Sequence, residues 1–232
     1  MTCDAWWWAE VKPIVVAIDG PAASGKSSTA RMVAARLGFC HVDSGSLYRA
    51  ATAAALRRSA AADSWTEDDV RRAVSEISLR VEGGVVVPLL CDVELGEELR
   101  GAEVTRHVSR VAQMPRIREW VNELVRSSAA RHSVVVDGRD IGTVVFPNAD
   151  LKVFLVADPW ERARRRLLQR SASEPTDSEI AEETERLVLR DARDATQTVQ
   201  AKDAVLIDTT HLTQEAQVER IVALVSVLRG RK

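Results

Sequence analysis

The sequence predicts an α/β fold in which a central parallel sheet lies between two layers of helices. An apolar run at residues 14–18 leads directly into a glycine-rich loop at residues 20–27, and an alanine-rich stretch with helical spacing follows that loop. Four further apolar runs each end at polar residues, and helical patterns separate most of them. Strands and helices that alternate in this way form parallel sheets, because each crossover connection needs a helix.

The loop at residues 20–27 reads Gly-Pro-Ala-Ala-Ser-Gly-Lys-Ser and matches the phosphate-binding pattern G-x-x-x-x-G-K-[ST] at every fixed position. Its glycines let the backbone curl so that amide hydrogens point at phosphate oxygens, and the positive end of the next helix adds to them. Lys26 would reach the β- and γ-phosphates, and the Ser27 hydroxyl would bind a magnesium ion. The predicted phosphate-binding residues are Gly20, Pro21, Ala22, Ala23, Ser24, Gly25, Lys26, Ser27 and Ser28.

A helix follows the loop over residues 28–37, where apolar residues recur at helical spacing, and Gly38 ends it. Each of the remaining strands stops at a polar segment that contains an aspartate. Ligands of open α/β sheets bind beyond the carboxyl ends of the strands, so these polar ends are expected to converge around the loop. The remaining strands are predicted at residues 39–42, 134–136, 151–156 and 204–207.

A different pattern occupies the middle of the chain. Residues 79–82 and 85–90 flank Gly83 and Gly84, which predicts a β-hairpin, and a charged helix is predicted over residues 104–130. This is not a strand–helix–strand unit, so we interpret the region as an insertion. It either moves as a flap over a second substrate or is a hairpin without a function of its own.

An arginine-rich segment spans residues 162–193 and flanks an acidic, turn-rich stretch at residues 171–183. Charge-rich runs are usually solvated helix faces. With a phosphate loop in the same chain, the alternative is a lid that closes on the transferred phosphate, and we expect at least two of its arginines to face phosphate. These arginines are Arg162, Arg164, Arg165, Arg166, Arg170, Arg186, Arg190 and Arg193.

Acidic residues and histidines stand near these motifs. Asp137, Asp140 and Asp194 could bind magnesium, accept hydrogen bonds from sugar hydroxyls, or serve as helix caps and turn residues. Asp19 directly precedes the loop and is interpreted as a turn residue. The histidines are scattered without metal-ligand spacing, and surface or capping positions are expected for them. They are His41, His107, His132 and His211.

The composition fits one compact α/β domain and limits its partners. The chain has 232 residues, of which 46% are hydrophobic and 28% charged, and its formal net charge is −2. Nothing in that balance indicates binding to a nucleic acid polymer or a membrane surface. The 3 cysteines are widely spaced, as is typical of a reducing compartment, and no apolar run is long enough to span a bilayer. A cytoplasmic protein is therefore expected.

Together these motifs resemble those of bacterial cytidylate kinase. The phosphate loop, the segment Asp-Ser-Gly-Ser-Leu-Tyr-Arg at residues 43–49 and the segment Asp-Gly-Arg-Asp-Ile-Gly-Thr-Val-Val-Phe-Pro at residues 137–147 carry the resemblance, and the last of them is the most specific. Similarity also runs through shorter segments, so that it covers nearly the whole chain after residue 13. These segments are residues 104–118, 161–163, 165–166, 190–191, 194, 203–204 and 207–210.

The resemblance implies a P-loop nucleoside monophosphate kinase with three α/β/α layers, which moves the γ-phosphate of ATP onto CMP or dCMP with Mg²⁺ bridging the donor phosphates. Lys26, Arg139 and Arg190 match catalytic positions, and Arg139 would grip the acceptor phosphate, a bidentate task that suits arginine. Two of the matched substrate positions, Ser109 and Arg118, read the cytosine edge. The implied substrate-binding residues are Ser44, Arg49, Ser109, Arg118, Arg139, Asp140, Arg190 and Asp194.

The resemblance also implies how the chain is divided. Residues 1–13 form an N-terminal extension, in which Trp6, Trp7 and Trp8 are interpreted as a tail that partly covers the domain rather than as a docking patch. Residues 14–232 form the kinase domain and act as a monomer. That domain includes an inserted CMP-binding region at about 75–130 and an arginine-rich lid at about 162–194.

One position departs from the family pattern. After Arg190, Asp191 and Asp194 the family usually places another arginine and a Pro-Leu-containing loop, whereas this chain has Gln197 and a shorter segment. A neutral amide does not replace a cation. A weaker hold on the nucleotide, compensation by another lid arginine, or a changed preference between ribose and deoxyribose are the alternatives.

Two other functions stay open at this point. One is a P-loop kinase for another small acceptor, such as a different nucleoside monophosphate. The other is a nucleotide-binding switch or NTPase, although the chain lacks the base-reading Asn-Lys-x-Asp pattern of GTPase switches. A switch hydrolyses its nucleotide without an acceptor, whereas a kinase needs one.

Overall fold

An eight-stranded sheet is the centre of the structure. The computed structural model describes residues 12–59, 61–130, 132–171 and 173–230. The strands are β1 (Val15–Asp19), β2 (Cys40–Asp43), β3 (Ile77–Glu82), β4 (Val85–Leu90), β5 (Val93–Glu94), β6 (Val134–Asp137), β7 (Leu151–Val156) and β8 (Val205–Asp208). The helices are α1 (Lys26–Leu37), α2 (Ser44–Arg58), α3 (Glu67–Val74), α4 (Ala102–Val111), α5 (Pro115–Ala129), α6 (Pro159–Leu168), α7 (Asp177–Asp194) and α8 (Gln214–Gly230).

The strands follow the spatial order β3-β4-β2-β6-β1-β7-β8, with β5 paired to β4. The pairs from β4 through β2, β6, β1 and β7 to β8 are all parallel, whereas β3 and β5 run antiparallel to β4. The register sets Asp137 of β6 beside Asp43 of β2 and Ile18 of β1. The predicted parallel sheet is confirmed, and the polar ends of its strands lie side by side.

Helices cover both faces of this sheet and complete three layers. On one face, α1 and α8 pack against β1 and β7 through apolar side chains such as Val33, Ile221 and Leu155. On the other face, Val121 and Val125 of α5 pack against β6 and β1. A further apolar cluster joins α2, α3, α4 and α5 beside this layer. Successive side chains of each strand point to opposite faces of the sheet, so both faces are apolar and both are covered by helices.

The predicted helix over residues 104–130 is wrong, because two helices occupy that region. The first, α4, ends at Val111, and α5 begins at Pro115 with the proline in its first turn. Met114 has φ −72° and ψ 117°, which is the extended conformation that a following proline imposes. Proline is tolerated at the first helical position, since a backbone N–H there would have no acceptor within the helix. The insertion therefore contains a turn between two short helices.

The predicted hairpin is confirmed, and its turn has the expected chemistry. Gly83 and Gly84 both adopt positive φ, at 55° and 77°, as a two-residue turn matched to strand twist requires. The second hairpin strand, β4, also pairs with β2 through His41 and Val85. The hairpin is thus joined to the central sheet through β4.

The turn-rich stretch in the arginine-rich segment is shorter than predicted. Helix α7 begins at Asp177, where Thr176 and Glu179 form a reciprocal capping box, so residues 177–183 are helical. Among the other elements, β4 and β7 have their predicted limits, and the limits of the remaining predicted strands and of α1 differ from the prediction by one or two residues. The Trp6–Trp8 segment lies outside the described residues. Within the described ranges, no helix has both the length and the apolar character that crossing a membrane demands.

Gly20 marks the point where the loop leaves β1 and passes close to β7. Its φ is +148°, and a Cβ atom added there would lie 2.1 Å from the carbonyl oxygen of Leu155. Any side chain at this position would therefore push the loop away from the sheet. Gly38, at the end of α1, also has positive φ (67°), but a Cβ atom there meets nothing within 4 Å.

These two glycines give a matched pair of substitutions. Gly20→Ala is expected to lower the free energy of unfolding by about 3 kcal/mol, because backbone atoms must move to admit the methyl group. Gly38→Ala is expected to cost about 1 kcal/mol, since only the left-handed conformation opposes it. Urea denaturation of both variants measures the difference. Equal losses would contradict the close approach between the loop and β7.

Candidate functional site

The phosphate loop lies at the carboxyl end of β1, and Lys26 begins the helix that follows it. The Lys26 side chain is folded back over the loop, with Nζ donating to Pro21 O at 2.5 Å and lying 3.4 Å from Ser24 Oγ. Burial, and after it the charge of Arg139, hold the pKa of Lys26 well below its ordinary value. A buried ammonium in this state is stabilised by any anion that enters the loop. Lys26 thus lies over the loop, and its contact with phosphates stays a prediction.

Ser27 meets a carboxylate at the end of a neighbouring strand. Its Oγ donates to Asp137 Oδ2 at 2.5 Å, and His41 Nε2 lies 2.8 Å from Asp137 Oδ1. Both His41 and Asp137 are buried. The expectation that His41 lies at the surface or at a helix cap is therefore wrong, since its position within β2 directs it toward Asp137.

Asp43 lies beside Asp137 across the β2–β6 pair. Burial, and after it the charge of Asp137, raise the pKa of Asp43 to about 6. Ser44, the next residue, donates from Oγ to the carbonyl oxygen of Asp137 at 2.8 Å. Among the described residues, no three His, Cys, Asp or Glu side chains are grouped as a metal site. Any cation here would depend on ligands such as the Ser27 hydroxyl and on oxygens from the nucleotide.

The sequence predicted Asp19 to be a turn residue, and this prediction is wrong. Asp19 is the last residue of β1. Its carboxylate accepts hydrogen bonds from Ile141 N at 2.9 Å and Gly142 N at 2.7 Å. Burial raises the pKa of Asp19 to about 6, against the opposing effect of these two amides. Asp19 thereby fixes the π-helical turn Ile141–Val145 immediately after Asp140.

Cationic and acidic side chains from distant parts of the chain meet above the loop. Arg139 Nη1 donates to Gly20 O at 3.0 Å, and Arg139 Nη2 lies 3.3 Å from Asp194 Oδ2. Arg190 Nε is 3.8 Å from the same carboxylate oxygen. Burial, and then the charge of Arg139, lower the pKa of Arg190. The structure thus brings together three of the residues that the resemblance assigned to catalysis and substrate binding.

A second group surrounds the insertion. Arg118 donates to the Asp140 carboxylate and, from Nη1, to Ala112 O at 3.1 Å. Arg49 donates from Nη1 to Leu99 O at 2.8 Å and to Thr105 Oγ1 at 3.1 Å. Burial lowers the pKa of Arg49 to about 10, and the nearby charge of Arg190 contributes to that shift.

Ser109 lies half-buried on α4, and no hydrogen bond among the described residues connects its side chain to this group. Five of the other arginines of this segment form ion pairs with carboxylates on or near α6 and α7. Arg164 pairs with Glu174, Arg165 with Glu161, Arg166 and Arg170 with Glu183, and Arg186 with Glu182 and Glu183. In this arrangement, Arg190 is the arginine of α7 that lies against Asp194 and Arg139.

Two residues hold the backbone of the loop from outside. Asp191 Oδ1 accepts from Ala22 N at 2.9 Å, and Arg162 Nη1 donates to Ala22 O at 2.8 Å. Arg162 Nη1 also donates to Asp191 Oδ2 at 2.5 Å, so the two side chains bind each other and both polar groups of Ala22. This contact was not predictable from the sequence, because the two residues lie on different helices and residue spacing does not show which side chains of two helices meet.

Two glutamines connect the C-terminal end of α7 to the turn between α4 and α5. Gln197 Nε2 donates to Ala112 O at 3.1 Å, and Gln113 Nε2 donates to Arg193 O at 3.3 Å. The first of these carbonyl groups is the one that also accepts from Arg118. Gln197, which departs from the family pattern, therefore bonds to the backbone of the insertion.

Comparisons with known proteins agree with these features. The sequence profile described as cytidylate kinase matches residues 16–227. The cytidylate kinase of Limosilactobacillus fermentum is 42% identical over 216 residues, covering 91% of this chain and 95% of that protein. The cytidylate kinase of Chlorobaculum tepidum is 40% identical over 225 residues, covering 94% of each chain. The crystal structure of shikimate kinase from Bacteroides thetaiotaomicron is 15% identical, with a TM-score of 0.46 over 92% of this chain and 98% of that one.

The contact between Asp191, Arg162 and Ala22 predicts a stability effect that is separate from catalysis. Asp191→Ala leaves the buried Arg162 guanidinium and the Ala22 amide without their shared acceptor, and we expect a loss of about 3 kcal/mol in the free energy of unfolding. Glu174→Ala removes the partner of Arg164 in an exposed pair and is the matched control, with an expected loss below about 1 kcal/mol. Chemical denaturation compares the two. A loss for Asp191→Ala as small as that of the control would contradict the role assigned to Asp191.

Proposed function

Because this chain belongs to the cytidylate kinase family, we propose that it transfers the γ-phosphate of ATP to CMP or dCMP and forms CDP or dCDP in pyrimidine nucleotide metabolism. The observation that carries the proposal is the family match over residues 16–227, which includes the loop and every cationic residue described above. The fold supports it, since the donor loop and a cluster of arginines face each other at the carboxyl ends of parallel strands.

The loop supplies the donor half of the site. Its amide groups and the N-terminal end of α1 would hold the ATP phosphates. Lys26 now donates to Pro21 O, so it must exchange that acceptor for a phosphate oxygen when ATP binds. Burial makes this exchange favourable, because the charge of an ammonium held in a low-dielectric site is stabilised most by an anion in contact with it.

Ser27 and Asp137 fit a magnesium ion. Their oxygens lie 2.5 Å apart at the end of β6, beside the loop. A hydroxyl and a carboxylate are oxygen donors of the kind that Mg²⁺ accepts alongside water and phosphate oxygens. Held by Ser27 and Asp137, Mg²⁺ would neutralise charge on the donor phosphates.

The arginines and aspartates above the loop form the acceptor half. Asp194 now lies between Arg139 and Arg190, and an acceptor phosphate would replace part of that carboxylate contact. Arginine provides two parallel N–H donors for a phosphate group. Asp194, once released from this role, can accept hydrogen bonds from the sugar hydroxyls.

The cytosine edge is assigned to the insertion. Arg118 is fixed by Asp140 and by the carbonyl oxygen of Ala112, which leaves a rigid fork of donors beside the acceptor site. Ser109, Ser44 and Arg49 complete the proposed substrate contacts. A site with fixed donors rejects a base that leaves them unpaired, which supports selectivity for the cytosine edge.

The reaction itself needs positioning and charge stabilisation. An oxygen of the acceptor phosphate attacks the γ-phosphorus, and the bond from that phosphorus to the β–γ bridging oxygen breaks, so ADP leaves with the electron pair. The acceptor oxygen is already anionic, so no covalent enzyme nucleophile is required. Lys26, Arg139 and Arg190 stabilise the negative charge that spreads over the transferred group. Closure of the insertion and lid excludes water, which would otherwise accept the phosphate.

We propose that residues 14–232 carry this activity as a monomer, with about 75–130 binding CMP and about 162–194 forming the lid. The substrates are small nucleotides, so the reaction requires neither a nucleic acid polymer nor a membrane, and the cytoplasm is the proposed compartment. Light scattering after size-exclusion chromatography measures the oligomeric state.

A coupled ADP-release assay with Mg²⁺ and ATP tests the function. CMP, dCMP, UMP and AMP are offered separately at equal concentration. Rapid release with CMP, or with CMP and dCMP, is the expected result. Release without any acceptor would indicate the hydrolysis of a switch or NTPase, and release with AMP alone would indicate another acceptor class; either outcome would overturn the proposal.

Variants of the two halves test the assigned residues in the same assay. Lys26→Ala and Arg139→Ala are each expected to lower kcat by at least about 10²-fold, because each removes a cation that contacts a phosphate in the transition state. Arg139→Lys keeps the charge but loses the fork, so its activity should fall between Arg139→Ala and the wild type. Arg36→Ala is the control, since Arg36 pairs with Glu215 at the surface. Near wild-type activity would remove the substituted residue from the mechanism.

The glutamine contacts predict an effect on the acceptor alone. Gln197→Ala removes the bond to Ala112 O and is expected to raise KM for CMP about two- to tenfold, since one hydrogen bond favours the closed arrangement of lid and insertion. KM for ATP should stay unchanged. Gln200→Ala, three residues further along and exposed, is the matched control. Equal effects on both KM values, or no effect, would contradict a link between lid and insertion.

A further inference from the structure

We propose that His41 is a positioning residue for the magnesium–ATP site and acts through Asp137. The inference rests on the proposed function, because it concerns the side of the site that would hold the donor nucleotide. His41 Nε2 lies 2.8 Å from Asp137 Oδ1, and Ser27 Oγ donates to the other carboxylate oxygen at 2.5 Å. Three separate elements, β2, β6 and α1, are joined by this chain of two hydrogen bonds.

The geometry explains why Asp137 needs a partner on that side. Asp43 and Asp137 are paired across β2 and β6, and the charge of Asp137 acts on the Asp43 carboxyl group. Two carboxylates on neighbouring strands repel each other when little water separates them. The donor from His41 holds Oδ1 in place against that repulsion and leaves Oδ2 directed at Ser27. His41 would thus orient the proposed magnesium ligand Asp137 without binding the ion itself.

The other ring nitrogen strengthens the argument. His41 Nδ1 is buried and has no hydrogen-bond partner within the described part of the chain. An unpaired buried polar atom destabilises a fold, so a purely structural residue at this place in β2 would be apolar. The side chain of His41 is only 5% exposed, and its hydrogen bond to a described residue is the one with Asp137. The unfavourable burial of Nδ1 is explained if the Nε2 contact positions the Asp137 carboxylate for magnesium binding.

Residues that hold metal-binding carboxylates in place typically change metal affinity by about 10- to 100-fold when they are removed. His41→Leu keeps an apolar side chain of similar bulk but removes the donor. His41→Gln restores a donor, since its amide nitrogen reaches about as far as Nε2. His41→Asn carries a donor that is too short and should behave like His41→Leu. His107→Leu is the control, because His107 is a half-buried histidine on α4 that pairs with Glu103 instead.

The test measures the affinity of the full chain for a non-hydrolysable ATP analogue by calorimetry, with Mg²⁺ and with EDTA. His41→Leu and His41→Asn are expected to weaken binding about tenfold in Mg²⁺ and to leave binding in EDTA unchanged. His41→Gln should recover most of the loss, and His107→Leu should match the wild type in both conditions. Mn²⁺ binding to the nucleotide complex, followed by electron paramagnetic resonance, should show the same order.

Two results would overturn the proposal. One is unchanged affinity in Mg²⁺ for both His41→Leu and His41→Asn. The other is an equal loss with Mg²⁺ and with EDTA, which would mean that His41 only supports the fold around the loop. The proposed function is tested independently by CMP-dependent ADP release from the wild type, so a protein that fails that assay can still reveal whether His41 acts on the metal-dependent part of ATP binding.

Discussion

The backbone of the phosphate loop is held in place by side chains from distant segments, and the rest of the site depends on that restraint. Both polar groups of Ala22 are bound, its N–H by Asp191 and its carbonyl by Arg162, while Arg139 donates to Gly20 O. A loop whose other amides must point at one anion loses affinity if its conformation varies, since the ordering must then be completed on binding. These contacts connect the loop directly to α6 and α7, which carry Arg162 and Asp191.

The cationic side chains of the site are bound to protein acceptors that nucleotide phosphates can replace. Lys26 is bound to a backbone carbonyl, and Arg139 and Arg190 share the carboxylate of Asp194. Burial lowers the pKa of both Lys26 and Arg190, so each cation gains stability from a phosphate that replaces these weaker partners. Binding energy is thereby concentrated on the phosphate groups, where charge develops during transfer. Substrate groups far from the phosphates serve mainly to bring those groups into position.

Much of the fold was predictable because it follows from local pattern. Apolar runs that end at polar residues gave the central strands, and the loop pattern gave α1. The prediction of a single helix over residues 104–130 was wrong because the pattern of charged residues continues across Pro115. A proline within a helical pattern is itself a signal for a helix boundary. The site was less predictable. The sequence motifs identified candidate positions such as Arg139. The pairing of His41 with Asp137 depends on the register between β2 and β6, and residue spacing within one strand does not reveal that register.

One backbone acceptor connects the insertion to the segment that follows α7. The carbonyl oxygen of Ala112 accepts from Arg118 of the insertion and from Gln197, three residues after the end of α7, so it links the proposed base-reading residue to that segment. A glutamine at this place forms a neutral bond that can break and re-form without leaving a buried charge behind, unlike an arginine. Where the family pattern usually has another arginine, this chain therefore has a neutral link within the protein. Arg139 and Arg190 are held next to each other by Asp194 instead of by a contact to this segment.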